Sequence, residues 1–215
     1  MIQQPRAWLI DLDGTLVDTL GDFVAALAEV AAQLRRPPPE AALVRSLIGR
    51  GGERLIRDLL ALWQRPETEF ATAWAVYGEA YARVNGQHAR VFEGVREGLV
   101  GLAGMPLACV TNKPQANAEA LLERLALRPA FAAVIGQRPG LRAKPHPDAF
   151  LAAAEALGLP ISQCGVIGDS RNDAEAGRAA GCAPIVLLRH GYNHGEPVDA
   201  VPAEAHLDRL DQLPP

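Results

Sequence analysis

The sequence predicts an α/β fold in which a mostly parallel sheet is covered by helices on both faces and interrupted by a helical insertion. Two observations lead to this prediction. Apolar runs of strand length alternate with helical stretches through most of the chain, a pattern typical of parallel sheets buried on both faces. Residues 17–86 instead show helical patterns and no convincing strand. The predicted architecture is a doubly wound, Rossmann-like core with an inserted α-helical cap.

Five segments have the length and apolar character of buried strands, and each is bounded by glycine, proline or polar residues. They are Ala7–Ile10, Leu107–Val110, Ala133–Ile135, Gly165–Ile167 and Ile185–Leu188. In open parallel sheets, ligands bind beyond the carboxyl ends of the strands. Polar residues that directly follow these segments are therefore the first candidates for a functional site.

The insertion is predicted to hold four helices. The first has apolar residues at helical spacing from Phe23 to Leu34 and stops at the prolines 37–39, and the second is Ala41–Ile48, ended by glycines at 49, 51 and 52. Apolar side chains at 55–63 and at 70–81 predict the third and fourth. The predicted domains are a cap at 17–86 and a core formed by 1–16 and 87–215.

Composition excludes several classes of protein. The chain has 215 residues, 49% of them hydrophobic and 21% charged, as in an ordinary globular protein. A net charge of -4 gives no electrostatic case for binding nucleic acid or an anionic membrane. No apolar run approaches the roughly 18–20 residues that cross a bilayer, and the polar Met1–Arg6 segment is not expected to act as a secretion signal. A cytoplasmic location is expected.

Cysteine and histidine give no sign of a zinc site. Cys109, Cys164 and Cys182 are far apart and form no CxxC pair, so buried, reduced thiols are expected. His190 and His194 have the spacing of a helical metal pair, but the glycines and asparagine around them disfavour a helix.

Two carboxylates follow the first predicted strand. Asp11 and Asp13 are one residue apart, and Gly14 permits a loop in which both face a common site. One carboxylate can then attack phosphorus while its neighbour manages the proton of the leaving group. The alternative is a solvated Asp-Gly turn.

A second acidic segment follows the strand Gly165–Ile167. Asp169 is placed to ligate a hard cation such as Mg2+, which prefers oxygen ligands. Asp173, four positions later at a predicted helix start, could orient a bound water or a neighbouring group. It could equally stabilise the helix N-terminus through the helix dipole.

Two further segments supply groups for a phosphate. Thr111 and Asn112 follow the strand Leu107–Val110 and offer a hydroxyl, an amide and backbone N–H groups, although both residue types also cap helices. Lys144 precedes a proline at the start of a predicted helix. Its ammonium could neutralise charge around a nucleophile and a phosphate, or it could be a solvated surface lysine.

Taken in this order, the segments resemble the four motifs of the haloacid dehalogenase superfamily of phosphatases, and the resemblance covers the whole chain. The motifs are Asp11-Leu12-Asp13-Gly14-Thr15, Thr111-Asn112, Lys144-Pro145, and Gly168-Asp169 with Asp173. Within the superfamily the sequence is most similar to bacterial phosphoglycolate phosphatases. The segment Gly136–Ala143 departs from the pattern, because it carries arginines where relatives often carry acidic residues.

The resemblance implies a role for each matching residue. Asp11 would be the nucleophile and a metal ligand, and Asp13 the general acid and base, with its backbone carbonyl on Mg2+. Asp169 would ligate the metal, and Asp173 would support the metal site without ligating the ion directly. Three residues would hold the phosphate: Thr111, Asn112 and Lys144.

The predicted reaction is Mg2+-dependent hydrolysis of a small phosphomonoester through an aspartyl-phosphate, with 2-phosphoglycolate as the favoured substrate. Arg50, between two cap helices, is a candidate partner for the substrate carboxylate. Sugar phosphates, pyrophosphate and a mutase reaction stay open as alternatives, as does a binding protein on a retired phosphatase scaffold. Metal-free carbon-halogen hydrolysis needs no second aspartate, so Asp13 and Asp169 speak against it. The sequence leaves the oligomeric state open.

Overall fold

The computed structural model describes residues 4–214 and contains eight strands within that range. They are β1 (Ala7–Ile10), β2 (Val17–Asp18), β3 (Arg90–Val91), β4 (Leu107–Pro114), β5 (Ala133–Gln137), β6 (Cys164–Gly168), β7 (Ile185–Leu188) and β8 (Ala205–Leu207). Six of them form one parallel sheet in the order β5-β4-β1-β6-β7-β8. The five predicted strands are confirmed, and the order places β1 at the centre between β4 and β6.

Eight α-helices lie between these strands. They are α1 (Leu20–Gln33), α2 (Ala41–Leu47), α3 (Gly52–Leu62), α4 (Phe70–Val84), α5 (Val95–Gly101), α6 (Gln115–Arg124), α7 (Asp148–Ala156) and α8 (Arg171–Ala180). The four helices predicted between residues 17 and 86 are therefore present. None of the helices among residues 4–214 is both long and apolar enough to cross a membrane.

The sheet is covered on both faces, as successive side chains of β1 show. Trp8 and Ile10 pack in a core that includes Leu121 of α6, whereas Leu9 packs in a second core with Phe150 of α7. Alternate residues of a strand point to opposite faces, so a strand buried at every position must have layers on both sides. The doubly wound prediction is confirmed. All three cysteines are buried and form no disulfide.

Helices α1–α4, which we call the cap helices, pack around a third apolar core. Its buried side chains include Leu27, Val30, Leu55, Leu59 and Tyr81. Tyr192 also belongs to this cluster, although it lies far along the chain after β7. The cap helices therefore have a hydrophobic core of their own and one aromatic contact from the sheet side. The predicted limits of the cap, residues 17 and 86, stay a prediction.

Three strand predictions need correction. The stretch from residue 17 was predicted to lack strands, but β2 pairs antiparallel with β3, joining Val17 to Val91 and Asp18 to Arg90. Strand β4 continues to Pro114 instead of ending at Val110, because β5 supplies a backbone partner at Gln137 after a register shift. Strand β8 pairs with β7 at the edge of the sheet and had not been predicted.

Candidate active site

The predicted site residues converge at the carboxyl ends of three adjacent strands. Asp11 follows β1, Asp169 follows β6, and Thr111 lies in the last part of β4. Because β1 lies between β4 and β6, parallel pairing brings these three strand ends to one edge of the sheet. The main-chain N–H of Asp11 donates to the carbonyl of Ile167 at 2.9 Å, which fixes β1 against β6 at this point.

Lys144 lies between two carboxylates. Its Nζ is 2.6 Å from Asp11 Oδ1 and 2.6 Å from Asp173 Oδ1, and it also donates to the Val110 carbonyl at 2.9 Å. All three charged side chains are buried. Each of the three protons of the ammonium thus has an acceptor, so the amine is fixed beside Asp11. A solvated surface lysine is excluded.

Asp173 also organises the start of α8. Its Oδ2 accepts from the Ser170 hydroxyl at 2.6 Å and from the main-chain N–H groups of Ser170 at 3.2 Å and Asp169 at 3.3 Å. An acid in the first turn of a helix is stabilised by the free N–H groups there. One oxygen of Asp173 thus serves the helix N-terminus and the other accepts from the Lys144 ammonium, and its supporting role at a metal site stays a prediction.

Asp169 is enclosed by glycines and two hydrogen-bond donors. Oδ1 accepts from the Thr15 hydroxyl at 2.8 Å, and Oδ2 accepts from the Tyr192 main-chain N–H at 2.7 Å. A Cβ on Gly14 would lie 2.6 Å from Asp169 Oδ2, and one on Gly191 would lie 2.0 Å from its Cβ. Glycine is therefore required at both positions for the loops to close around this carboxylate.

Burial and neighbouring charges act in opposite directions on the pKa values of the central groups, and the net shift is upward for each of them. Burial raises the pKa of Asp11 well above its usual range, although Lys144 opposes this. Burial, together with the charge of Asp173, raises the pKa of Asp169 to about 7. Burial alone would lower the pKa of Lys144, but Asp11 and Asp173 raise it overall. The lysine therefore stays charged at neutral pH, while two carboxyl groups need a further positive charge to ionise fully.

The donor set suits a hard divalent cation. Asp11, Asp169 and Asp173 each offer a carboxylate oxygen, and these three atoms lie within 4.8 Å of one another. The main-chain carbonyl of Asp13 accepts none of the hydrogen bonds described for residues 4–214. The cluster of four aspartates is balanced by only two ammonium groups, those of Lys113 and Lys144. Two negative charges are left over, and oxygen ligands of this kind fit Mg2+.

Asp13 is held by a lysine that was not assigned a role from the sequence. Its Oδ1 accepts from the Thr19 hydroxyl at 2.7 Å and from Lys113 Nζ at 2.8 Å. The same Nζ is 2.5 Å from the hydroxyl of Tyr81 on α4 and lies over the rings of Phe23 and Tyr81. Lys113 is buried. It therefore connects Asp13 to two of the cap helices.

The structure gives Thr111 and Asn112 specific partners. Thr111 is buried, and its hydroxyl accepts from the Lys113 main-chain N–H at 3.1 Å. Asn112 donates to the carbonyls of Gly49 and Lys144, both at 3.0 Å, and accepts from the Lys144 N–H at 2.8 Å. Its amide hydrogens are therefore already used. Asn112 fastens Lys144 on one side and the cap on the other, and contact with phosphate stays a prediction for both residues.

A cavity of about 120 Å³ lies between the carboxylates and the cap helices. The sheet side of the cavity is lined by Asp11, Asp13, Thr111, Asn112, Lys113, Lys144 and Asp169. The cap side is largely apolar and is formed by Phe23, Ile48, Leu55, Trp74, Tyr77 and Tyr81. Arg50 is exposed and is not among the lining residues, although its neighbours Gly49 and Gly51 are. The structure therefore does not bring the predicted carboxylate partner to the cavity.

Two contacts fasten the cap helices over the cavity. The Gly49 carbonyl accepts from the side-chain amides of Asn112 and Asn172, each at 3.0 Å. Arg45 of α2 donates to the carbonyls of His190 at 2.9 Å and Gly191 at 2.7 Å. These contacts join α2 and the loop after it to β4, to the start of α8 and to the segment after β7. The described conformation is thus one in which the cap helices cover the carboxylates.

A helical cap, a parallel sheet and buried aspartates at the strand ends define a class of hydrolases. The family model "haloacid dehalogenase-like hydrolase" matches residues 5–181, and this chain belongs to that family. Two curated relatives are the phosphoglycolate phosphatase of Thiobacillus denitrificans and the plasmid phosphoglycolate phosphatase of Cupriavidus necator. The first is 36% identical over 95% of this chain and 92% of its own length. The second is 38% identical over 97% and 91%.

A solved structure extends the similarity to three dimensions. The crystal structure of a predicted phosphoglycolate phosphatase from Haemophilus somnus matches with a TM-score of 0.89 at 29% identity. The match covers 98% of this chain and 97% of that one. The similarity includes the cap helices as well as the sheet, since almost nothing of either chain is left out.

Proposed function

We propose that this chain is a Mg2+-dependent phosphatase that hydrolyses a small phosphomonoester, with 2-phosphoglycolate as the candidate substrate. The observation that carries the proposal is the position of Asp11. Its carboxylate is 2.6 Å from the Lys144 ammonium and belongs to a group of three acidic oxygens within 4.8 Å of one another. A carboxylate in such surroundings can attack phosphorus while nearby positive charge offsets the negative charge on the phosphoryl oxygens.

The first step transfers the phosphoryl group to Asp11. A bond forms between a carboxylate oxygen of Asp11 and phosphorus, and the bond between phosphorus and the leaving oxygen breaks. Asp13, which lines the same cavity, gives its proton to that oxygen. Lys144 offsets negative charge beside the nucleophile, and Asp173 holds Lys144 in place.

The second step returns the enzyme to its starting state. Asp13 is then a carboxylate and takes a proton from a water molecule, whose oxygen attacks the phosphorus of the aspartyl-phosphate. Phosphate leaves and Asp11 is regenerated. Mg2+ bound by Asp11, Asp169 and the Asp13 carbonyl would supply charge neutralisation on the phosphoryl oxygens. The cap helices exclude bulk water from the aspartyl-phosphate.

The choice of substrate within this class follows from the relatives, two of which are named phosphoglycolate phosphatase. Sugar phosphates, pyrophosphate and phosphoryl transfer within one sugar remain the alternatives. The proposal for a catalyst, rather than a retired scaffold, is supported by the buried cluster of Asp11, Asp169, Asp173 and Lys144, with the half-buried Asp13 lining the same cavity. A cytoplasmic location is part of the same proposal.

The test is a panel of phosphorylated metabolites assayed with Mg2+, with a chelator, and with Mg2+ restored. We expect turnover only when Mg2+ is present, and turnover that ignores chelation would remove the metal from the proposal. Asp11→Asn is expected to lower kcat by at least about 10³-fold, because the nucleophile is lost. Rapid acid quenching should trap a phosphorylated wild-type chain but not a phosphorylated variant. Appreciable activity of Asp11→Asn would contradict the covalent route.

A further inference from the structure

Tyr81 is the point at which the cap helices contact the acid–base side of the cavity. It lies on α4 and is buried, and its hydroxyl oxygen is 2.5 Å from Lys113 Nζ. The same Nζ donates to Asp13 Oδ1 at 2.8 Å. All three residues line the cavity. The Tyr81 hydroxyl is therefore at most two hydrogen-bond lengths from Asp13, the group proposed to protonate the leaving oxygen.

The hydroxyl of Tyr81 keeps its own proton available. An ammonium group can only donate, so the Tyr81 oxygen accepts from Lys113 and its O–H points elsewhere. The hydrogen bonds described for residues 4–214 include no acceptor for this proton. Burial raises the pKa of Tyr81 well above its usual range, so the phenol stays a donor at neutral pH. A buried donor without an acceptor is uncommon in proteins, which indicates a partner that the chain itself does not supply.

The candidate substrate carries an acceptor at a suitable separation. In 2-phosphoglycolate a single methylene carbon joins the leaving oxygen to the carboxylate. A molecule whose leaving oxygen meets Asp13 therefore has its carboxylate oxygens within the distance that separates Asp13 from the Tyr81 hydroxyl. Arg50 is exposed and does not line the cavity, so it leaves this carboxylate without a partner. Of the cap-side residues that line the cavity, Tyr81 is the one that a described hydrogen bond joins to the lysine beside Asp13.

The charge of Lys113 also favours an anionic group at this position. Among the carboxylates of residues 4–214, Lys113 is paired with Asp13 alone. When Asp13 carries the proton that it gives to the leaving oxygen, this carboxyl group is neutral. A substrate carboxylate that accepts from Tyr81 then lies close to an ammonium group that polarises the donating hydroxyl, and hydrogen bonds in series strengthen one another. The surroundings of Tyr81 thus suit a leaving group with one negative charge.

We propose that Tyr81 is a specificity-determining residue whose hydroxyl donates a hydrogen bond to the carboxylate of the substrate. The corresponding substrate class is phosphomonoesters of short 2-hydroxy acids. This inference rests on the proposed phosphatase activity, and it names the group that distinguishes 2-phosphoglycolate from uncharged esters. It gives a side chain of α4 the role that the sequence had suggested for Arg50.

The test compares two esters of similar shape. In isobutyl phosphate two methyl groups replace the carboxylate oxygens of 2-phosphoglycolate. Wild type and Tyr81→Phe, which keeps the ring and removes the hydroxyl, are assayed with Mg2+ on both. Wild type is expected to give the higher kcat/KM on 2-phosphoglycolate. Tyr81→Phe should raise KM for 2-phosphoglycolate by about tenfold or more, because a hydrogen bond to a charged group is lost. KM for isobutyl phosphate should change by less than about twofold.

The ratio of the two kcat/KM values separates direct contact from an effect through Lys113. Loss of an acceptor for Lys113 acts on Asp13 and lowers kcat on both esters alike, so it cancels in the ratio. Tyr77→Phe is the matched control. Tyr77 lies one turn earlier on α4, is buried and lines the same cavity, but its hydroxyl makes none of the described hydrogen bonds. This variant is expected to keep the wild-type ratio.

Three results would overturn the inference while leaving the phosphatase in place. They are equal wild-type kcat/KM values on the two esters, a ratio that Tyr81→Phe does not change, and an equal fall of the ratio in Tyr77→Phe. The first of these needs no variant, so it decides the matter even if Tyr81→Phe does not fold. Absence of turnover on both esters by wild type would instead refute the proposed phosphatase.

Discussion

Asp13 is held through a single oxygen. The Thr19 hydroxyl and Lys113 Nζ both approach Oδ1, at 2.7 and 2.8 Å, and Oδ2 has no hydrogen-bond partner among residues 4–214. Fixing one oxygen orients the carboxyl group and leaves the other free for proton transfer in the cavity that Asp13 lines. Lys113 therefore acts on the reaction through Asp13, as a positioning residue.

Removing the Lys113 charge should slow the reaction more than it weakens binding. Lys113→Met keeps most of the buried side-chain volume but leaves the Asp13 carboxyl group held by the Thr19 hydroxyl alone, so its orientation is less firmly fixed. We expect kcat to fall by about 10–100-fold, because general acid–base catalysis depends on alignment, with a smaller change in KM. Steady-state kinetics across pH would check this, and a shifted pH profile is expected as well. If only Tm fell while kcat and the pH profile stayed unchanged, Lys113 would be merely structural.

For single residues, the sequence predicts the role best where the residue type has one chemical use at that position. Asp11 and Asp169 directly follow strand ends, and a parallel sheet brings such positions together whatever the rest of the chain does. Lys144 lies in the connection between β5 and α7. The role of Lys113 could not be derived in the same way, because its partners Asp13 and Tyr81 are 100 and 32 residues distant. For Arg50, the sequence suggested a role that its position in the structure does not support. Its place between glycines suggested access to the substrate, but the loop directs the side chain into solvent.

Helix α1 begins against a side chain from the opposite end of the chain. The buried hydroxyl of Tyr192 accepts from the main-chain N–H groups of Thr19 at 2.8 Å and Leu20 at 3.0 Å, and it donates to Asp18 Oδ1 at 2.7 Å. The first N–H groups of a helix have no partner within the helix, so an outside acceptor is needed when they are buried. Tyr192 thus ties the first cap helix to the sheet.

Tyr192→Phe should be clearly destabilising. Thr19 would lose its acceptor, and Leu20 would keep only Asp18 at 3.2 Å. We expect the free energy of unfolding to fall by about 1–3 kcal/mol, the usual effect of leaving a buried polar group unsatisfied. Tyr77→Phe is a matched control, because Tyr77 is buried but its hydroxyl makes none of the described hydrogen bonds. Urea denaturation of both variants measures the difference, and equal losses would contradict this account.

The sequence did not predict those strands, or parts of strands, that form only because a neighbouring strand pairs with them. Residues 111–114 are polar and end in proline, which favours a loop, yet backbone pairing with β5 extends β4 through them. Strand β8 has three half-buried residues and exists only as the edge partner of β7. Strand β2 is two residues long. In contrast, long periodic helices and fully buried strands carry their own signal, which is why the main architecture could be predicted.

On the scale of the whole molecule, the buried acids couple stability to pH and to metal. The folded pKa of Asp169 is raised to about 7, above the ordinary value of about 3.9. The stability contributed by its protonated form is therefore complete below the ordinary pKa and is lost as pH rises through about 7. Asp11 acts in the same direction. The metal-free protein should thus lose stability over this window.

Mg2+ should reverse that loss. It binds the ionised acids, so we expect the Mg2+-induced increase in Tm to be small near pH 5 and to grow towards pH 8, as deprotonation proceeds. At a concentration about 100 times Kd, the added stability would be about 2.7 kcal/mol. Thermal unfolding with Mg2+ or chelator at each pH measures the effect. Asp169→Asn should abolish it, and an equal Mg2+ effect at every pH would argue against these acids as the binding groups.

The pairing of β2 with β3 has a consequence for how such a molecule can be assembled from its parts. The polypeptide leaves the sheet layer at Val17 and Asp18 and returns at Arg90 and Val91, and these residues are direct neighbours across an antiparallel ladder. Two residues suffice to connect strands paired in this way. In topology, the seventy-odd residues between the two strands are one long hairpin loop. A much shorter loop, or a different set of cap helices, could replace them at this junction while the rest of the chain kept its path.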